Sequence, residues 1–271
     1  MTTLMEDMAL APGQRIQGWG YGFVLPDAWV KREHLDSHPT AIVLQRLYAD
    51  ILDGSFEFMS DAQIGAANAH GRFHYINLYS QRRTNIDDPY VQSVFNVANE
   101  AFRVAASGFN IECMYFETSA YDAPVIAAAG FPRIAYSNEA SLEELPPLRR
   151  PAFLRVTRAD ARNSLPGTSA RHVFDHHPPQ FRFSASQRRL LWLALFDESD
   201  THLTERLQVS VHGLKKLWRG IYERIEDRMP EFFGETSGAD DGRRGPEKRR
   251  QVLAYVRQRP EELRPWAERE T

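Results

Sequence analysis

His212, Lys215, Lys216 and Arg219 fall within eight residues and carry the strongest chemical signal in the chain. At helical spacing His212, Lys216, Arg219 and Glu223 share one side, with Lys215 flanking them. Leu214, Leu217, Trp218, Ile221 and Ile225 share the opposite arc. Cationic and imidazole donors along an exposed helix suit phosphate oxygens and the acceptor edges of bases, and a helix fits the major groove of duplex DNA. Ser210 and Val211, at the start of the same segment, complete the candidate DNA-binding set. Periodicity by itself leaves two readings open: a groove-reading helix, or a bundle helix with an ordinary solvated face.

Other reactive side chains point less far. His34 and His38, and His70 and His74, stand four residues apart, and His176 and His177 adjoin Asp175. A helical histidine pair binds zinc only with a third ligand and an open face. Pro39 follows the first pair, Gly71 and a strand-like run interrupt the second, and two prolines follow the third. Unliganded histidines and no metal are therefore expected. The one cysteine, Cys113, excludes an internal disulfide and a multi-cysteine site, and its apolar neighbours suggest a buried structural thiol. No catalytic constellation and no cofactor motif is found, so the chain is read as a non-enzyme.

Composition sets the bounds on what positions these groups. The chain has 271 residues, 42% hydrophobic and 25% charged, enough for two modest domains. A net charge of −3 gives no global attraction to nucleic acid, so any such affinity must come from a local basic face. The N-terminus, Met1-Thr-Thr-Leu-Met-Glu-Asp-Met, has no secretory pattern, and no run approaches a membrane span. A cytoplasmic protein with no membrane partner is expected.

Three zones are expected: residues 1–140 as an α/β or α+β domain with a central sheet, 141–180 as a proline-rich linker, and 181–271 as an all-α domain. In the first, helices are expected over 41–52, 89–108 and 123–129, with strands over 56–59, 73–79, 111–117 and 133–136. Trp19, Tyr21, Phe23, Trp29, Phe56, Phe58, Phe73 and Tyr75 read as aromatic core, with a pocket lining as the alternative. In the linker, prolines recur too often for long helices, although Ala152-Phe-Leu-Arg-Val could add a strand. In the third zone Ser184 and Gln187 have capping-box spacing ahead of Leu190, Leu191, Leu193, Ala194 and Leu195. Asp197-Glu-Ser-Asp breaks that helix, 201–207 makes a second, and Ser210 caps a third. A polar loop over 234–245 then leads to a last helix with Pro246 at its start.

The third zone resembles the C-terminal DNA-binding domain of LuxR/NarL-class bacterial regulators. Phe183-Ser184 matches that family's opening, and Gln187-Arg-Arg-Leu-Leu its first helix. Leu203-Thr-Glu-Arg-Leu-Gln-Val-Ser210, Leu214-Lys215 and Ile221-Tyr-Glu-Arg-Ile225 match its later segments, about 43 residues without a gap. Sigma-factor region-four helices share part of the pattern. Gly213 stands where the family usually has Thr, and Leu217 where it usually has His. The resemblance implies a helix-turn-helix with residues 210–225 in the major groove, a homodimer on double-stranded DNA, and Ser184, Thr201, Lys248 and Arg249 as candidate phosphate contacts. The family's fourth helix pairs two domains; here 246–258 either dimerises or docks on its own bundle.

A weaker resemblance links residues from Pro89 to Phe131 to the later half of GNAT acetyltransferases. That fold holds acetyl-CoA pyrophosphate on a glycine-rich loop opening a helix. The matching stretch here, Gln81 to Pro89, has no glycine and two aspartates, so a degenerate, ligand-sensing version is expected, with Arg82 and Arg83 either holding an anion or simply solvated. A phosphorylated receiver is not expected, because Asp53 follows a helix and Lys31 is the only lysine among the first 150 residues. The chain is thus read as a one-component transcriptional regulator whose N-terminal domain senses a small molecule or a protein. The alternatives are a GNAT-like acetyltransferase or acyl-CoA-binding protein whose helical bundle recruits a partner, and an adaptor that binds no DNA.

Overall fold

Alternation along Ile16–Leu25 (β2) puts Trp19, Tyr21 and Phe23 on one face and Gly18, Gly20 and Gly22 on the other. The computed structural model describes residues 2–196, 199–234 and 241–267, with side chains described from 245 in the last span. Two units divide at residues 176 and 177. The break expected at 197 falls outside the described residues, as do 235–240 of the loop expected over 234–245. The last helix already begins at Asp241, so 241–245 are helical rather than loop, and Pro246 lies inside that helix instead of at its start.

In the first unit β2 follows Thr2–Glu6 (β1) and precedes three helices, Asp27–Arg32 (α1), Val43–Asp53 (α2) and Asp61–His70 (α3). Phe73–Gln81 (β3), Pro89–Ala106 (α4), Ile111–Ser119 (β4), Ala123–Ala128 (α5), Arg133–Ile134 (β5) and Pro151–Thr157 (β6) follow, then Arg158–Asn163 (α6) and Ser169–Val173 (α7). The strands form one mixed sheet in the order β1-β2-β3-β4-β6-β5. Among the described strands only β3 and β4 are parallel, and α4 supplies the crossover that parallel neighbours require. Side-chain alternation divides the core. Leu25, Ile76, Cys113, Tyr115 and Phe153 pack with α1 and α2 on one face. Phe73, Tyr75, Met114, Phe116, Leu154 and Val156 pack with Phe131 and the later helices on the other. Cys113 is buried, and burial pushes its thiol up to about 12.

The span 141–180 is not a linker. β6 lies inside the sheet between β4 and β5, with Ala152, Phe153, Leu154 and Val156 fully buried, and Ala161, Ala170 and Val173 bring α6 and α7 onto the same core. The prolines mark boundaries of short elements: Pro151 opens β6, and Pro166 separates α6 from α7. The first unit therefore runs to residue 176 rather than 140. The strand expected over 56–59 is absent; Phe56 is buried edge-on against Trp29 and Phe58 instead of pairing. The unexpected α3 is a helix of small residues held by a Ser60–Gln63 capping box, with no apolar stripe to announce it.

The second unit contains Ala185–Ala194 (α8), Asp200–Leu207 (α9), Val211–Arg228 (α10) and Asp241–Gln258 (α11), with short 3-10 turns at Pro230–Phe233 and Pro260–Leu263. Its core joins Phe181, Phe183, Leu190, Leu191, Leu203, Leu214, Trp218, Ile221, Ile225, Val252 and Val256. Among the described residues no helix is long and apolar enough to cross a membrane.

The position of β6 is testable with one truncation. Leu154→Ala should destabilise the first unit by about 2–5 kcal/mol in urea melts, as an unrelaxed core cavity does. A residue in a solvated linker would cost within about 0.5 kcal/mol.

Candidate nucleic-acid interface

One face of α10 is spent on packing. Leu214, Trp218, Ile221 and Ile225 are buried at spacings of three and four residues, which sets the helix's rotation against the bundle. That setting leaves Val211, His212, Lys215, Lys216, Arg219 and Glu223 exposed. Charge is graded along the exposed stripe: the cations occupy the first turns, whereas Glu223, Glu226 and Asp227 lie in the later ones. His212, Lys216, Arg219, Gly220 and Glu223 border a common surface recess.

The start of α10 is held by local bonds. Gln208 closes α9 in the left-handed region (φ 56°), so the chain reverses without a glycine. Ser210 caps α10, its hydroxyl accepting the Gly213 N–H at 3.1 Å. A Cβ on Gly213 would stand 3.3 Å from Val209 Cβ, so a side chain there requires Val209 to yield slightly. Arg189, on α8, donates to the Arg206 carbonyl at the end of α9, at 3.2 Å. This places another exposed arginine beside the turn, one that helical periodicity within α10 could not reveal.

The four candidate phosphate contacts differ in freedom. Ser184 is exposed and caps α8, and Thr201 is exposed in the first turn of α9. Lys248 donates to Glu226 at 2.6 Å and lies over the Phe233 ring at 4.7 Å. Arg249 donates to Asp200 at 2.6 Å and lies over the Trp218 ring at 4.8 Å. Either would have to leave its carboxylate to reach a phosphate. The apolar side of α11 is also engaged within the bundle: Val252 and Val256 are fully buried, and Tyr255 packs on Phe181 and Phe232. Of the two roles left open for 246–258, docking on its own bundle is the one observed.

The segment leading into α8 is gripped at both donors and acceptors. Glu262, buried on the last 3-10 turn, accepts the Gln180 and Phe181 N–H groups at 2.8 and 3.0 Å. Arg224 donates to the Phe181 and Arg182 carbonyls at 3.1 and 2.9 Å, and Arg188 to the Phe183 carbonyl at 2.6 Å. These bonds seat Phe181 and Phe183 in the core. Burial raises the Glu262 carboxyl from 4.5 to about 6, against the two backbone bonds that lower it.

In the first unit, β3 and β4 pair only from Phe73↔Ile111 to Asn77↔Phe116. Beyond that point β3 continues on β2 and β4 on β6, so the two parallel strands diverge. A cleft of about 140 Å³ lies at the divergence, bordered by Tyr79, Gln81, Arg83, Thr84, Phe95 and Thr118 among others. The N-terminus of α4 opens there already capped, the Asp88 carboxylate accepting the Tyr90 N–H at 2.9 Å. Arg83 lies 4.0 Å from Asp88 and over the Tyr90 ring, and Arg82 reaches the Gly13 carbonyl. An anion at this helix end would meet a carboxylate in its place.

Three of the histidines in these pairs are held by local contacts. His38 and His70 contact the Ala135 and Ala66 carbonyls at 3.0 and 2.7 Å. His74 is buried, 3.1 Å from the Tyr115 hydroxyl, with Asp27 and Glu112 at 3.7 and 3.6 Å from its other nitrogen. Among the described residues no group of three or more His, Cys, Asp or Glu side chains is arranged to hold a metal ion.

Two measurements check this arrangement. Glu262 binds a proton in the native state that the unfolded chain has released between pH 4.5 and 6. Its contribution is therefore full below pH 4.5 and is lost as pH rises through about 6. Urea melts of residues 177–271 should show a decline of roughly 2 kcal/mol across that window relative to Glu262→Gln, whose side chain does not titrate. Separately, Arg249→Ala should lower the melting temperature of the same fragment while leaving the salt dependence of any DNA retention unchanged. A fall of about one unit in the salt slope would instead identify Arg249 as a phosphate contact.

Comparison with known proteins identifies no relative: no family profile, no curated protein and no solved structure matches this chain.

Proposed function

We propose that the chain is a sequence-specific transcriptional regulator of one-component type. It is a cytoplasmic homodimer that binds double-stranded DNA through α9, the 208–210 turn and α10, while its N-terminal unit senses an effector. The observation that carries this reading is the exposed stripe of His212, Lys215, Lys216 and Arg219 over the first turns of α10, opposite its buried edge. On this stripe the cations lie in the N-terminal part of the helix, the part that reaches base edges in this mode of docking, while Arg224 and Arg228 of the later turns lie off it. The acids that follow oppose phosphate contact farther along. With α11 engaged in its own core, we assign dimerisation to a surface other than the apolar side of that helix.

Retention of duplex DNA by residues 177–271 tests the reading. At about 50 mM salt, where electrostatic binding is strong, the fragment should hold DNA, and a folded fragment that holds none overturns the proposal. Within it, Lys216→Ala should cost on the order of 1–3 kcal/mol at the cognate site and reduce discrimination against random DNA. Arg219→Ala should weaken both alike and lower the salt slope by roughly one unit.

A second reading, a GNAT-like acetyltransferase or acyl-CoA-binding protein, is favoured by the sheet: β3, crossover α4 and β4 diverge beside a cleft. The Asp88 cap and the absence of glycine between Gln81 and Pro89 weigh against pyrophosphate binding there. On the regulator reading, acetyl-CoA turnover stays at background with any amine acceptor. Turnover abolished by changing Arg82 and Arg83 together would establish the second reading instead.

A further inference from the structure

The glycine face of β2 makes room inside the first unit. The Tyr79 ring lies over Gly18 and Gly20, and a Cβ on Gly22 would overlap the Tyr75 hydroxyl. Large rings thus lie flat against β2, and Ala98 and Ala105 of α4 face them with little bulk. Between them is an apolar chamber of about 60 Å³, walled by Tyr75, Tyr79, Phe95, Phe102, Phe116 and Phe131. That volume holds about four to six water-sized groups. No Asp, Glu, Lys, Arg or His lines it among the described residues, which excludes a charged occupant.

The chamber nevertheless contains polar groups. Asn99 accepts the Ser169 hydroxyl at 2.7 Å. Asn77, half-buried in the wall, makes no side-chain hydrogen bond to protein among the described residues. A half-buried amide in an apolar wall is open to pairing with a ligand that brings one complementary group. The chamber shares Tyr79, Phe95, Phe116 and Ile126 with the outer cleft, so the two cavities adjoin.

We propose that this chamber binds the effector, and that the effector is a small neutral molecule: an apolar portion of about four to six heavy atoms with one amide, carbonyl or hydroxyl group set against Asn77. The inference rests on the reading of the N-terminal unit as the sensing half of a regulator, and it names the class of molecule sensed.

The probes are linear primary amides from acetamide to octanamide, titrated into the full chain and followed by saturation-transfer NMR. Affinity should rise about fourfold per added methylene, the value of one buried CH₂ group, until the chamber is full at four to six heavy atoms. It should then level off or fall. Ala98→Leu should abolish the rise by occupying the space, and Asn77→Leu should weaken each amide about fivefold, as loss of one hydrogen bond does. The wild-type profile decides the matter even where a variant does not fold. Absence of saturable binding, or affinity climbing steadily through octanamide as for surface partitioning, overturns the proposal. DNA retention measured on the same preparation separates the two readings: amide binding without DNA retention overturns the regulator alone, and DNA retention without amide binding overturns the chamber alone.

Discussion

Leu214, Trp218, Ile221 and Ile225 bind α10 to its bundle along one edge, and the rest of the C-terminal unit follows from that burial. A helix with one apolar edge has one favourable rotation against a core, so residues on the far side become solvent-facing whatever their chemistry. Here those residues are a histidine, two lysines and an arginine, followed by acids. Folding and presentation of charge are thus one event. A substitution such as Trp218→Ala acts through the core, whereas Lys216 and Arg219 can change without unseating the helix.

The same core depends on polar bonds at its margin. Phe181 and Phe183 can enter only if the backbone around them is satisfied, and Glu262, Arg224 and Arg188 take up its donors and acceptors. This brings a carboxylate near the end of the chain to the segment where the second unit begins. Because the carboxylate is buried, this closure is coupled to pH, in the direction of greater stability in mild acid.

In the first unit the governing feature is the unequal dressing of β2. Aromatic residues on one face pack with α2, and glycines on the other admit the Tyr75 and Tyr79 rings. Where β3 and β4 part, neither strand can fill the space between them, and a cleft and an apolar chamber result. The paired and packed parts supply rigidity, and the unfilled part is the space proposed above for an effector.

Much of this was legible in the residues. Apolar spacing of three and four defines α4 and α10, Ser184 and Ser210 announce helix starts, and the aromatic runs of β3 and β4 announce strands. Local sequence carries these because capping and amphipathicity act within one element. Local sequence offered a strand over 152–156 but did not reveal that it pairs inside the sheet and ties the proline-punctuated stretch to the core, because strand pairing is settled by partners far along the chain. Nor did it reveal that Phe56 packs as a core ring outside any strand, or that Lys248 and Arg249 are held by Glu226 and Asp200. Spacing within the chain determined which side chains share a face. Only the tertiary structure decided which of those faces found a partner, because a carboxylate or ring from a distant element meets its neighbour only once the chain has folded.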